Sequence, residues 1–187
     1  KHYVKTHYDT VFEDYYKVAT PRMISMIKIS VSDPSSPTDS EKEKLKEVQE
    51  LLKDGKSFGD VAKDYSDDST TKSAKGSLGV VDTTSNLTNT YGSTINEAAF
   101  SLTEGQTSDV LTGNDGYYIL KCTSTSKENI KKKLKNVTIQ SPLLTYDDQI
   151  IYLAFKTYDI EYKDAKIKKA VNEAIKEGLK SRAAERK

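Results

Sequence analysis

The stretch "SFGDVAKDYSDDSTTKSAKGSLGVVD", residues 57–82, decides the fold. Ser57 stands at the start of a short amphipathic helix that turns Phe58, Val61, Ala62 and Tyr65 to one side. The helix breaks into an acidic, hydroxyl-rich run with two adjacent aspartates, Asp67 and Asp68, and the chain then reaches an apolar strand, "LGVVD" at 78–82. Irregular loops of this length in compact domains are usually functional or disordered. The flanking sequence decides between the two.

Upstream, "MISMIKISV" (23–31) is β-branched and alternates from Ile27 onward, which predicts a strand. Thr38 and Glu41 have the spacing of a capping box, in which the threonine hydroxyl accepts a first-turn amide and the glutamate reaches back to the amide of the cap. The helix that follows carries Leu45, Val48, Leu51 and Leu52 on one face and stops at Gly55. Downstream, "TTSNLTNTYGS" (83–93) reads as a polar loop, and Thr94 with Glu97 predicts a second capping box opening the helix "INEAAFSL". "SDVLTGNDGYYILKCTS" (108–124) reads as strand, tight turn, strand. The order β-α-α-β-α-β-β over residues 22–124 predicts an α+β fold, an antiparallel-rich sheet packed on helices.

The flanks differ. Residues 6–17 place Val11, Phe12 and Tyr15 at helical spacing before Pro21, and residues 126–187 read as helices joined by "SPLL" and a short extended "DIEY". The expected organisation is a helical piece at 1–20, an α+β domain at 21–125 and a C-terminal helical segment at 126–187. Net charge is +1, yet residues 126–187 hold 15 Lys/Arg against 9 Asp/Glu. The basic run "KKKLK" (131–135) has no interleaved aromatic platform, so a solvated helix face, or contact with a polyanionic cell surface, is expected rather than nucleic-acid binding.

Several chemistries lack their residues. The single cysteine, Cys122, permits no internal disulfide and reads as a small buried hydrophobe. The two histidines, His2 and His7, are five apart with no completing ligand, so neither a metal site nor a Ser-His-Asp triad is expected. No phosphate loop is present, and no cofactor is expected. The opening "KHYVKTHYDTVFEDYYK" has no initiator methionine or signal pattern, so the chain is expected to be a piece of a longer protein whose targeting signal lies upstream.

"FGDVAKDYSDDSTTKSAKGSLG" resembles the parvulin peptidyl-prolyl isomerase signature, in which a Tyr-Ser-x-Asp helix end runs into Gly-Gly-x-Leu-Gly. "INEAAFSLTEGQTSDVLTGNDGYYIL" resembles its second half, Ala-Ala-Phe-x-Leu followed by Gly-Tyr-His-Ile-Ile. The match covers residues 22–124 in order and spacing. The flanks resemble the helical chaperone lobe of extracytoplasmic foldases of the PrsA type from Gram-positive bacteria, lipid-anchored at the outer face of the membrane.

The resemblance implies a proline pocket. Asp68 falls where parvulins carry a Cys or Asp facing the proline. Leu78 matches the leucine of Gly-x-Leu-Gly, Phe100 the phenylalanine of Ala-Ala-Phe, Ile95 an apolar wall position and Tyr91 the neighbourhood of a pocket methionine. The two family histidines are replaced by Met26 and Tyr118. The implied catalytic set is then Asp68, Tyr118 and Met26, with Tyr118 donating one hydrogen bond in place of a histidine. Binding falls to Leu78, Tyr91, Ile95 and Phe100. The implied function is a foldase that isomerises X–Pro bonds and holds unfolded secreted proteins. The loss of both histidines leaves a degenerate parvulin, acting only as a holdase with weak or absent catalysis, as the alternative.

Overall fold

The computed structural model describes residues 1–158 and 160–185. The chain forms two compact units, residues 21–81 with 85–130, and residues 1–20, 82–84 and 131–187.

The first unit is built on a four-stranded antiparallel sheet of order β2-β1-β4-β3, with β1 at Arg22–Ser30, β2 at Ser77–Val81, β3 at Leu111–Gly113 and β4 at Gly116–Ser124. The two long strands, β1 and β4, are central, and their alternation sends side chains to opposite faces. Ile24 and Met26 join Tyr118, Leu120 and Cys122 in one core with Ile95, Ala99 and Leu102. Ile27, Ile29 and Ile119 join the other, with Val48, Phe58, Val61 and Ala62. Each face is covered by a helix pair: α5 (Leu87–Tyr91) with α6 (Ser93–Ser101), and α3 (Asp39–Lys53) with α4 (Phe58–Tyr65). With both faces covered, neighbours in sequence are buried on opposite sides, Met26 and Ile27 in β1 and Tyr118 and Ile119 in β4.

The Thr38–Glu41 capping box forms in both directions. At the other end of α3, Gly55 (φ +81°) closes a Schellman turn, its amide donating to Leu52 and that of Lys56 to Leu51. Ser57 does precede α4, but its side chain accepts no capping bond. The second predicted capping box is absent. Gly92 (φ +116°) occupies the N-cap of α6, so Thr94 lies inside the first turn, past the amides it was to cap. The loop expected at 83–93 contains α5, whose buried Leu87 and half-buried Tyr91, four apart on one face, pack onto the core. Tertiary burial here overrides the polar composition.

The outer edges of the long strands are closed by irregular backbone. Along β4, the amides of Gly105 and Ser108 donate to Cys122 and Leu120, and the Cys122 amide donates to Gln106. Along β1 beyond the bulge at Ile24–Ser25, Met26 N donates to Gly76 O (2.8 Å), Lys28 N to Ser66 Oγ (3.1 Å) and Ser30 N to Asp67 Oδ2 (3.0 Å).

The second unit is helical. It contains α1 (His2–Thr6), α2 (Tyr8–Ala19), α8 (Asp147–Thr157) and α9 (Ala165–Glu185), together with the end of α7 (Lys127–Lys133). Val4, Val11, Phe12, Tyr15, Leu143 and Tyr146 are buried. Tyr15 donates to Asp82 Oδ2 (2.7 Å), and Tyr3 and Thr157 share a hydrogen bond of 2.7 Å. The extended reading of Asp159 and the last helical positions, Arg186 and Lys187, lie outside the described residues. Among those described, no helix is long and apolar enough to cross a membrane.

Candidate functional site

The seven residues named from the sequence lie on the α5–α6 face of the sheet or in the loop beside it. Met26 and Tyr118 come from adjacent strands, offset by two positions, because Lys28 is the residue opposite Tyr118 in the β1–β4 register. Alternation keeps Met26, Lys28, Tyr118 and Leu120 on one face. Met26, Ile95 and Tyr118 belong to one buried cluster and have no exposed surface. Leu78, Tyr91 and Phe100 pack against that cluster and keep part of their surface in water. The apolar set therefore has two tiers, a sealed floor and an accessible rim.

The rim is braced. The Arg22 guanidinium lies 5.4 Å from the Phe100 ring centroid, and its Nη1 donates to the carbonyls of Ala99 (3.1 Å) and Leu102 (3.0 Å) at the end of α6. The charge thus serves the exposed carbonyl end of the helix and the ring face together. Tyr91 meets Tyr118 edge-on, with centroids 5.8 Å apart.

Asp68 is 8 % exposed and is the hinge of the acidic loop. Its Oδ1 accepts from Thr70 N (2.8 Å) and Thr71 N (3.3 Å), an Asx turn that leads into a single 3₁₀ turn at Lys72–Ala74. Its amide donates to Ser66 Oγ (3.3 Å), which also accepts the amide of Lys28. Burial raises both phenols, Tyr91 and Tyr118; the Asp68 charge adds to this at Tyr91, while at Tyr118 the Asp115 hydrogen bond and charge come first and Asp68 adds least. The loop is ordered by its own aspartates and hydroxyls.

Tyr118 departs from its expected role. Its hydroxyl donates to Asp115 Oδ1, so its one proton is already committed and the free side of the oxygen is an acceptor. Asp115, in the tight turn between β3 and β4, also receives Lys28 Nζ on Oδ2. The Lys28 and Tyr118 hydrogen bonds hold the Asp115 carboxyl below the usual carboxylate range. Asp115 and Lys28 were not singled out from the sequence. The available signal was a lysine interrupting an otherwise apolar strand face. Met26 contributes a thioether to the core. Cys122 is a buried free thiol whose pKa is raised by burial. Among the described residues no cluster of His, Cys, Asp and Glu suits a metal ion.

The family model for the rotamase, PPIC-type PPIase domain, matches residues 26–124. The chain is 31% identical over 180 residues to the foldase protein PrsA of Staphylococcus aureus (strain bovine RF122 / ET3-1), covering 92% of this chain and 53% of that protein. It therefore spans about half the length of the curated relatives it matches. The crystal structure of PrsA from Bacillus subtilis is similar with a TM-score of 0.52 and 28% identity, covering 88% of this chain and 60% of that one. With the sheet order, the two helix pairs and the family match in agreement, this chain belongs to the PPIC-type, or parvulin, family of peptidyl-prolyl cis–trans isomerases.

Proposed function

We propose that the sheet unit binds X–Pro segments of unfolded polypeptide on the rim formed by Leu78, Tyr91 and Phe100, beside Asp68, and isomerises them slowly. The supporting observation is the two-tier apolar set with one buried carboxylate in electrostatic reach. Rotation about an X–Pro bond must overcome a barrier of about 18–20 kcal/mol that originates in amide resonance. The twisted transition state has lost that resonance, so an apolar surface gripping the ring, with water excluded, favours it without a nucleophile or a metal. Lowering the barrier by about 4 kcal/mol would give roughly a thousandfold acceleration. Asp68 acts electrostatically, near the carbonyl of the twisting bond.

Slow turnover follows from the replaced positions. Met26 offers no strong hydrogen bond, and the Tyr118 proton is held by Asp115. The same observation favours a second reading, in which the unit binds proline segments without turning them over. In both readings the helical unit holds apolar stretches of client, in keeping with relatives named as foldases. Clients are unfolded secreted proteins, and the extracytoplasmic, lipid-anchored location and any polyanionic surface contact rest on resemblance and composition alone.

A protease-coupled isomerisation assay on proline tetrapeptides, run beside an aggregation-suppression assay, separates the readings. The expected result is a weak acceleration that Phe100→Ala abolishes and Asp68→Ala reduces, with suppression intact in both variants. An acceleration unchanged in Phe100→Ala would overturn the binding surface. No acceleration, with proline peptides still bound, would select the second reading.

A further inference from the structure

One residue of β1 touches both polar groups of the site. The Lys28 ammonium pairs with Asp115 Oδ2 and lies 6.0 Å from the Tyr118 ring centroid, while Asp115 Oδ1 takes the Tyr118 proton. The backbone of the same residue reaches the opposite way. Its amide donates to Ser66 Oγ, its carbonyl accepts from Asp67 N (2.8 Å), and Ser66 Oγ takes the amide of Asp68 as well. Asp68 and Tyr118, from a loop and a strand 50 residues apart, are both referenced to one position.

The exposures give this arrangement a direction. The Asp115 side chain is 59 % exposed and the Lys28 side chain 16 %. A carboxylate at an open turn has many hydrated rotamers, and exposed ion pairs contribute little to stability. A lysine whose stem lies along a packed sheet face has already lost most of its freedom, so it can fix the mobile partner. The titratable groups facing Asp115 are the charged Lys28 and the neutral phenols of Tyr118 and, from α5, Tyr91.

We propose that Lys28 is a positioning residue of this site: through Asp115 its side chain fixes the Tyr118 hydroxyl, and through Ser66 its backbone fixes Asp68. That Asp68 acts on a bound proline segment rests on the function proposed above; the positioning itself does not.

The test uses the whole chain and NMR. In Lys28→Met the Asp115 carboxyl carbon should titrate at higher pH than in the parent, within the usual carboxylate range, and the Tyr118 hydroxyl proton should exchange with water at least about tenfold faster, as expected for losing an anchored hydrogen bond to a charged group. Lys28→Arg should restore both signals. Asp115→Ala, at an exposed turn and so little threat to folding, removes the acceptor and should free the Tyr118 hydroxyl in the same way. Ser66→Ala should shift the Asp68 signals and leave those of Tyr118 in place. Tyr118 exchange unaltered in folded Lys28→Met and Asp115→Ala would overturn the proposal. If the parent neither binds nor turns over proline peptides while the NMR changes occur as stated, the proposed function fails and the positioning role stands.

Discussion

The sheet unit and the helical unit bury their apolar residues by different means. The first closes two cores around one sheet, from nearly continuous chain at 21–81 and 85–130. The second gathers stretches far apart in sequence, and polar bonds tie them, buried Tyr15 to buried Asp82 and exposed Thr83 to buried Tyr146 (2.9 Å). Among the described residues, the exposed large hydrophobics all lie in the helical unit: Ile139, Ile151, Tyr158, Ile160 and Ile167. A sheet covered on both faces satisfies its own apolar surface. An amphipathic helix does so only with a partner, and an uncovered stripe is a binding surface or an aggregation hazard. The second unit holds such a surface where α8 and α9 face each other, a groove of about 640 Å³ lined by Tyr152, Phe155, Tyr158, Ile175 and Leu179 among others.

The sharpest way to break this contrast is at Gly76. Its φ is +80°, and a Cβ there would lie 2.4 Å from the Met26 carbonyl oxygen and 2.9 Å from the Ala62 Cβ. Gly76→Ala should cost the sheet unit on the order of 3 kcal/mol, through backbone strain and collision with main chain. Chemical denaturation followed by a reporter in each unit should show the sheet transition moving alone. Equal movement of both transitions would mean that the units are not separable in stability. Tyr15→Phe is the counterpart in the helical unit. It removes the hydroxyl that donates to buried Asp82, an expected loss of about 1–3 kcal/mol, confined to the helical transition.

A smaller effect is expected at Glu41. Its carboxyl is lowered from the ordinary 4.5 to about 2, first by the backbone hydrogen bond from Ser32 and then by those from Thr38. A carboxylate depressed on folding adds stability that is complete above its unfolded value and fades as pH falls through the folded one. The difference between the parent and Glu41→Gln should thus be constant above about pH 4.5 and shrink toward pH 2. A difference that persisted unchanged at pH 2 would contradict the capping role. The smallest effect on stability belongs to Ile151→Ser with Ile167→Ser, expected to change it by less than about 0.5 kcal/mol because both are exposed. The same pair should nevertheless reduce aggregation suppression, which would sharpen the contrast between units.

The fold was legible where local chemistry and burial agree. The Thr38–Glu41 box, the Gly55 stop and the turn before "GYYIL" each have short-range causes, and all three formed. Helix α5 was illegible because its polar residues hide two anchors, Leu87 and Tyr91, whose partners are distant in sequence. The site was read by position. Asp115 and Lys28 escaped, since an aspartate in a tight turn and a lysine in a strand each have an ordinary local explanation. Their pairing exists only in the register Lys28–Tyr118, which a linear reading does not supply. The buried state of Met26, Ile95 and Tyr118 was hidden for the same reason.

The closed edges of β1 and β4 bear on the proposed binding of unfolded polypeptide. An open strand edge is a row of unpaired amides and carbonyls, and an unfolded chain is a ready supply of new strands. Here the two edge strands are only five and three residues long, and the remaining lengths of β1 and β4 are occupied by Gly76, Ser66, Asp67 and the 105–108 backbone. Along these lengths of β1 and β4 no row of free amides is left to extend. The scaffold can be sticky to side chains and inert to main chain, which is the difference between a transient host and a seed for co-aggregation.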